Sequence, residues 1–232
     1  MSPTSNTDLG DLPREPVARA VRAFRAGGPV LIHDAADREG ETDIVYPAGA
    51  VTPDAVSRLR NDAGGLVCVA LGDGVADTLD LPFLDAALEH PTAAHHDLAY
   101  DARSAFSLTV NHRDTVTGIT DADRSLTITE LADVAAQIDA ADGYDLADFA
   151  DEFRSPGHVH LLRAASGLLD ERRGHTELGI ALARAAGLPP AVVVCEMLDD
   201  GTGGARSTAD ARAYARRHGL VYVEGRDIVA EL

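Results

Sequence analysis

A chain of 232 residues, 45% of them hydrophobic, can bury one sizeable core and need not divide further. Its 38 acidic and 20 basic residues leave a formal net charge of −18, which repels phosphate backbones at long range and argues against a nucleic-acid partner. Every basic residue is arginine, which excludes Schiff-base aldolase, pyridoxal-phosphate and P-loop chemistry, while 27 Asp against 11 Glu fits a halophilic, high-salt cytoplasm, with GC-rich coding as the other source of that bias.

Residues 1–13 are polar, lack an apolar h-region and read as a flexible N-terminus; residues 14–232 read as a single catalytic domain. Val17, Ala20, Val21 and Phe24 recur at helical spacing, and Gly27-Gly28 ends the pattern before the strand-like PVLIHD. The loop DREGETD (37–43) follows, packing four carboxylates, one guanidinium and one glycine into seven positions. DIVYPA reads as a second strand. Thr52-Pro53 opens a helix with a cap and a first-turn proline, and Gly64-Gly65 closes it before the strand LVCVAL. Residues 72–103 carry Pro82, Pro91 and the pair His95-His96 without a period, and read as a long excursion with at most a short helix. AFSLTVN alternates as a half-buried strand.

Thr127 and Thr129 are candidate caps of a helix running to about Asp139, and an acidic stretch leads from there to Pro156. HVHLLRA is a strand, residues 176–186 a helix ended by GLPP, AVVVCEM a buried strand, Ser207 the cap of another helix, and LVYVE the last strand. Helices and strands alternate irregularly, so the expected class is α+β: one domain with a mixed, twisted sheet covered by helices. Cys68 and Cys195 lie in apolar runs and read as free buried thiols. No segment approaches the length of a membrane span, so a soluble, cytoplasmic protein is expected.

Polar groups gather beside strands in DREGETD, in PGHVHLLRA with ERRGHTE (171–177), and in CEMLDDGTGGAR (195–206). In ERRGHTE, Arg172 and Arg173 precede a glycine, a histidine and a threonine that opens a helix. Guanidinium, backbone N–H and hydroxyl at a helix N-terminus suit a phosphorylated ligand. An arginine pair solvating a turn, with a histidine capping a helix, accounts for the same residues equally well. Glu39 and His175, one carboxylate and one imidazole 136 residues apart, suit a divalent ion with open positions, more like magnesium or manganese than a structural zinc, if the fold joins them. A lone histidine is more often structural than a ligand, and the chain has nine.

In order along the chain, DREGETDIVYPA, GGLVCVAL, LPFL, SAFSLTVNHRDTVTGITDADRSLTI, SPGHVHLLRA, RRGHTE and the CEM…DGT…AR segment resemble the 3,4-dihydroxy-2-butanone 4-phosphate synthase family, the riboflavin-pathway lyases acting on D-ribulose 5-phosphate, with SAFSLTVNHRDTVTGITDADRSLTI similar to the archaeal branch. The resemblance covers roughly residues 14–229. It implies a three-layer, DHBP synthase-like fold and the conversion of D-ribulose 5-phosphate to L-3,4-dihydroxy-2-butanone 4-phosphate and formate through a metal-stabilised enediol. It also implies Mg2+ or Mn2+, two ions per site, and a homodimer with sites near the interface. Carried over by position, Glu39 and His175 are metal ligands, and Arg38, Glu39, Asp43, Arg172, Arg173, Gly174, His175, Thr176 and Glu196 contact substrate. His158 and Glu196 match residues required for turnover, joined by Asp43 and Glu41 as carboxylates able to move protons.

Cys68 and Thr117 fall in motifs near the site without an assigned role. His160 departs from the family by standing where many members carry Phe, and GTGGAR is longer than the usual DGTMAR, which leaves the place of Arg206 open. No segment remains for a fused GTP cyclohydrolase domain, so the single-function form is expected. Arginines 38, 172 and 173 would have to reverse the acidic field locally for a phosphate ester to approach. Two other readings stay open: a non-catalytic sugar-phosphate or nucleotide binding module, which does not need Glu39, His158 and Glu196 together, and a metal-dependent ketose-phosphate isomerase, which shares the enediol step and stops there.

Overall fold

The structure, a computed structural model, describes residues 15–34, 40–93, 101 and 103–232. The N-terminal segment, Asp37, Arg38, Glu39, His95 and His96 lie outside the described residues. Among those described, strands β1 (Val30–His33), β2 (Thr42–Pro47), β3 (Cys68–Leu71), β4 (Phe106–His112), β5 (Phe153–Arg163), β6 (Ala191–Glu196) and β7 (Val221–Glu224) form one sheet of order β4-β5-β3-β6-β2-β1-β7. The pairs β3–β5 and β1–β7 are parallel and the others antiparallel, so the sheet is mixed.

The helices are α1 (Glu15–Arg25), α2 (Pro53–Arg58), α3 (Asp73–Thr78), α4 (Leu84–Ala87), α5 (Asp121–Asp139), α6 (Leu146–Glu152), α7 (His175–Ala185), α8 (Thr208–His218) and α9 (Gly225–Glu231). Buried residues of α1, α7 and α9 pack on one face of the sheet with Val30, Ile32, Val45, Cys68 and Val194. Those of α2, α3, α5 and α8 pack on the other with Leu31, Ile44, Val69, Val193 and Cys195. With both faces covered, successive strand residues are apolar whichever way they point, which is why AVVVC reads as an unbroken run. The result is the expected α+β architecture in three layers.

Several local features differ from expectation: residues 72–103 carry two short helices, α3 and α4, and α9 follows the last strand. Helix α5 starts at Asp121, because the Thr120 hydroxyl accepts the Asp123 N–H at 3.0 Å. Thr127 and Thr129 are inside that helix, their hydroxyls bonded 3.1 Å to the carbonyls of Asp123 and Ser125 one turn back. The acidic stretch before Phe153 folds as α6 under an Asp145/Asp148 capping box. Strand β5 begins before Pro156, and its pairing with β4 jumps from Val110↔Val159 to Asn111↔Arg154, so residues 155–158 bulge out of the ladder. A Cβ on Gly157 would stand 1.9 Å from the Val110 carbonyl carbon, so only glycine lets the bulge lie this close to β4.

Candidate active site

One pocket, about 110 Å³, opens on the α7 face where β2 begins, β6 ends and α7 starts. Asp43 and Glu196 are direct partners across the antiparallel β2–β6 pair. Strand alternation aims both toward the layer of Val45 and Val194. Both carboxylates line the pocket with Cys68, Phe106, Arg172 and the Gly174, His175 and Thr176 of the α7 N-terminus.

His175 is 7% exposed, and its Nε2 stands 3.2 Å from the Ile32 carbonyl oxygen. A carbonyl can only accept, so Nε2 carries hydrogen and Nδ1 faces Oδ1 of Asp43 at 3.4 Å. An imidazole lone pair and a carboxylate oxygen at that separation are favourable when a cation or a proton is shared between them. That donor set fits a divalent ion. Among the described residues no three His, Cys, Asp or Glu side chains are grouped to hold a metal; Glu39, the other expected ligand, lies outside them.

Glu196 is seated from two directions: its Oε2 accepts the Leu66 N–H at 2.8 Å, and its backbone carbonyl accepts the Gly65 N–H at 3.0 Å. A Cβ on residue 65 would stand 2.3 Å from Oε2 and 2.7 Å from that carbonyl oxygen. Gly65, legible in the sequence as part of a helix terminator, therefore also permits the contact that fixes Glu196. Cys68 lines the pocket with it. Burial, reinforced by the Glu196 carboxylate, pushes its thiol well above the ordinary range, so it lines the site as a neutral group.

Arg172 is 15% exposed and held by two carboxylates: Nε donates to Asp101 Oδ2, and Nη1 to Glu177 Oε2 at 2.9 Å. Glu177 is fully buried and also accepts the N–H groups of Ala165 at 3.1 Å and Gly174 at 3.3 Å. Neither partner was singled out from the sequence. Glu177 carried a signal, since an acidic residue three positions after Gly174 is half of a capping box; Asp101 carried none.

Other expected site residues lie elsewhere. Arg173 is exposed, donates to the Leu169 carbonyl at 3.2 Å, and lines a separate surface hollow with Arg184 and Leu232. The structure does not bring it to the pocket, because neighbours in a turn point to different sides. His158 sits exposed on the β5 bulge and does not line the pocket of its own chain. Glu41 immediately precedes β2, where its N–H donates to Asp34 Oδ1 at 3.0 Å. Thr117 bonds Asp123 in the loop after β4, and Arg206 donates to the Leu198 carbonyl at 3.1 Å; neither lines the pocket. His160 pairs with Cys68 across β5–β3 and meets the Phe106 ring edge-on at 6.1 Å. Burial holds its imidazole below the ordinary range, so the residue packs as a neutral aromatic.

The family model for 3,4-dihydroxy-2-butanone 4-phosphate synthase matches residues 18–231. The synthase of that name from Methanosarcina mazei is 50% identical over 225 residues, covering 93% of this chain and 90% of that protein. The one from Archaeoglobus fulgidus is 50% identical over 219 residues, covering 90% of this chain and 91% of that protein. A crystal structure of 3,4-dihydroxy-2-butanone 4-phosphate synthase in complex with two magnesium ions superposes with a TM-score of 0.76 at 30% identity, over 92% of this chain and 94% of that one. With sequence and fold both matched over nearly the whole length, the chain belongs to the 3,4-dihydroxy-2-butanone 4-phosphate synthase family.

Proposed function

We propose that this chain converts D-ribulose 5-phosphate to L-3,4-dihydroxy-2-butanone 4-phosphate and formate, a step of riboflavin biosynthesis. The observation that carries the reading is the convergence of Asp43, Glu196 and His175 at the N-terminus of α7, in a chain of this family. Expelling formate from a ketose phosphate requires proton removal beside the carbonyl, stabilisation of the enediol, and a carbon shift without capture of intermediates by water. Glu196, with Oε2 tied to Leu66, keeps its other oxygen for a substrate proton. Asp43, which lines the pocket, serves the sugar hydroxyls. The α7 N-terminus and Arg172, whose Nη2 has no partner among the described residues, take the phosphate. Glu39 and His175 would hold magnesium or manganese, which when bound acts as a Lewis acid on the substrate oxygens.

The test is release of formate from ribulose 5-phosphate, expected only with a divalent metal present. Turnover that survives thorough chelation would remove the metal from the scheme, and an isomerised sugar without formate would favour the isomerase.

The same reading makes the enzyme a cytoplasmic homodimer suited to high salt. A residue required for turnover that stands outside the pocket of its own chain, beside a loop exposing Val116 (87%) and Ile119, supports a site completed near a subunit interface. No described helix is long and apolar enough to cross a membrane. At a formal charge of −18, screening relieves self-repulsion, so melting temperature is expected to rise toward molar salt. Thermal melts with light scattering across salt concentrations test both points: an unchanged melting temperature refutes the salt requirement, and a monomer mass at every concentration refutes the dimer.

A further inference from the structure

Behind the β5 bulge lies Asn111 of β4, only 3% exposed. Its Oδ1 accepts the His158 backbone N–H at 2.8 Å. That bond settles which end of the amide is which, because a backbone N–H can only donate. The group 3.1 Å from His158 Nδ1 is therefore Nδ2, which also can only donate. Nδ1 must present a lone pair to it, and a neutral imidazole with its lone pair on Nδ1 carries its hydrogen on Nε2. We infer that Asn111 is a positioning residue for the reaction, holding His158 as the Nε2–H tautomer so that the ring meets substrate as a hydrogen-bond donor and not as a base. This rests on the reading of His158 as a residue required for turnover.

The amide cannot turn away from the ring. Gly118, at φ +82°, packs against it so closely that a Cβ there would stand 2.0 Å from Nδ2. The loop carrying Gly118 is tied in turn to the first turn of α5, where the Asp123 carboxylate accepts the N–H groups of Gly118 at 2.8 Å, Thr117 at 3.0 Å and Val116 at 3.3 Å. From the other side, Gly157 presses the bulge onto Val110. A buried amide braced on both sides, spending its donor on the ring of an exposed histidine, sets ring orientation more than it adds to the core. A donor of this kind suits an oxygen that gains negative charge as a proton leaves the neighbouring carbon, a role open to neutral imidazole.

Asn111→Asp separates tautomer from fold. The carboxylate retains an oxygen for the His158 backbone N–H, but turns the group at Nδ1 from a donor into an acceptor. In the magnesium-loaded enzyme, 15N spectra of the imidazoles, with the His158 signals assigned by their loss in His158→Gln, are expected to show Nε2–H in the parent and Nδ1–H in Asn111→Asp. Turnover of the variant should fall on the order of 10²-fold, the usual worth of one well-placed donor, with KM changed by no more than about threefold. An Nδ1–H ring in the parent overturns the inference even if the variant fails to fold, and so does parental kcat in a folded Asn111→Asp. Full activity in His158→Gln would instead overturn the underlying role of His158 and leave the tautomer as measured.

Discussion

Glu196→Gln is expected to lower turnover by a factor on the order of 10² to 10⁴ while substrate affinity stays near the parent value, the signature of losing a positioned general base. The site favours this clean outcome because the seat of residue 196 does not depend on charge. An amide oxygen can accept the Leu66 N–H in place of Oε2, the backbone bond from Gly65 is untouched, and the β2–β6 register still sets the side chain opposite Asp43. What disappears is the proton acceptor. Cys68 beside it cannot substitute, since burial and the carboxylate keep its thiol protonated. Calorimetry of substrate binding together with steady-state kinetics checks the division. Lost binding with normal turnover at saturation would make Glu196 a residue that positions substrate.

Much of this architecture is legible because local and global signals agree. Gly27-Gly28, Thr52-Pro53 and the AVVVCEM run each mark an element end or a strand covered on both faces, and each lies where the chain folds that way. The start of α5 is hidden because Thr127 and Thr129 look like caps, when their hydroxyls bond back into the helix. The pair Thr120 and Asp123, with the spacing of a cap and its third helical residue, was the better signal. The site is less legible than the fold. That Asp43 faces Glu196 is a matter of register between segments more than 150 residues apart, which spacing cannot supply. Arg172 and Arg173 are chemically alike, and only the backbone path through the turn sends one into the pocket and the other to the surface. Asn111 reads as a polar strand residue until the bulge at residues 155–158 brings the His158 ring against it.

Arg172→Ala is expected to cost stability as well as substrate affinity. Glu177 has 0% exposure, and its carboxylate rests on the Arg172 guanidinium at 2.9 Å and two backbone N–H groups. Removing the guanidinium leaves a buried carboxylate without its counter-charge, which typically costs about 3–5 kcal/mol. For a domain of this size that is a melting temperature lower by roughly 6–20 °C. The same change removes the Nη2 donor offered to the phosphate, so KM should rise with it. Adding Glu177→Gln distinguishes the two roles. The amide oxygen can keep the Ala165 N–H at the cost of the longer bond from Gly174, since the two now go to different carboxylate oxygens, but the side chain needs no cation, so the double variant should regain part of the lost melting temperature while KM stays high. If KM recovers too, Arg172 holds the α7 N-terminus in shape and does not itself grip the phosphate. If Arg172→Ala melts with the parent, the ion pair does not carry the turn, and the phosphate contact becomes the whole reason for an arginine there.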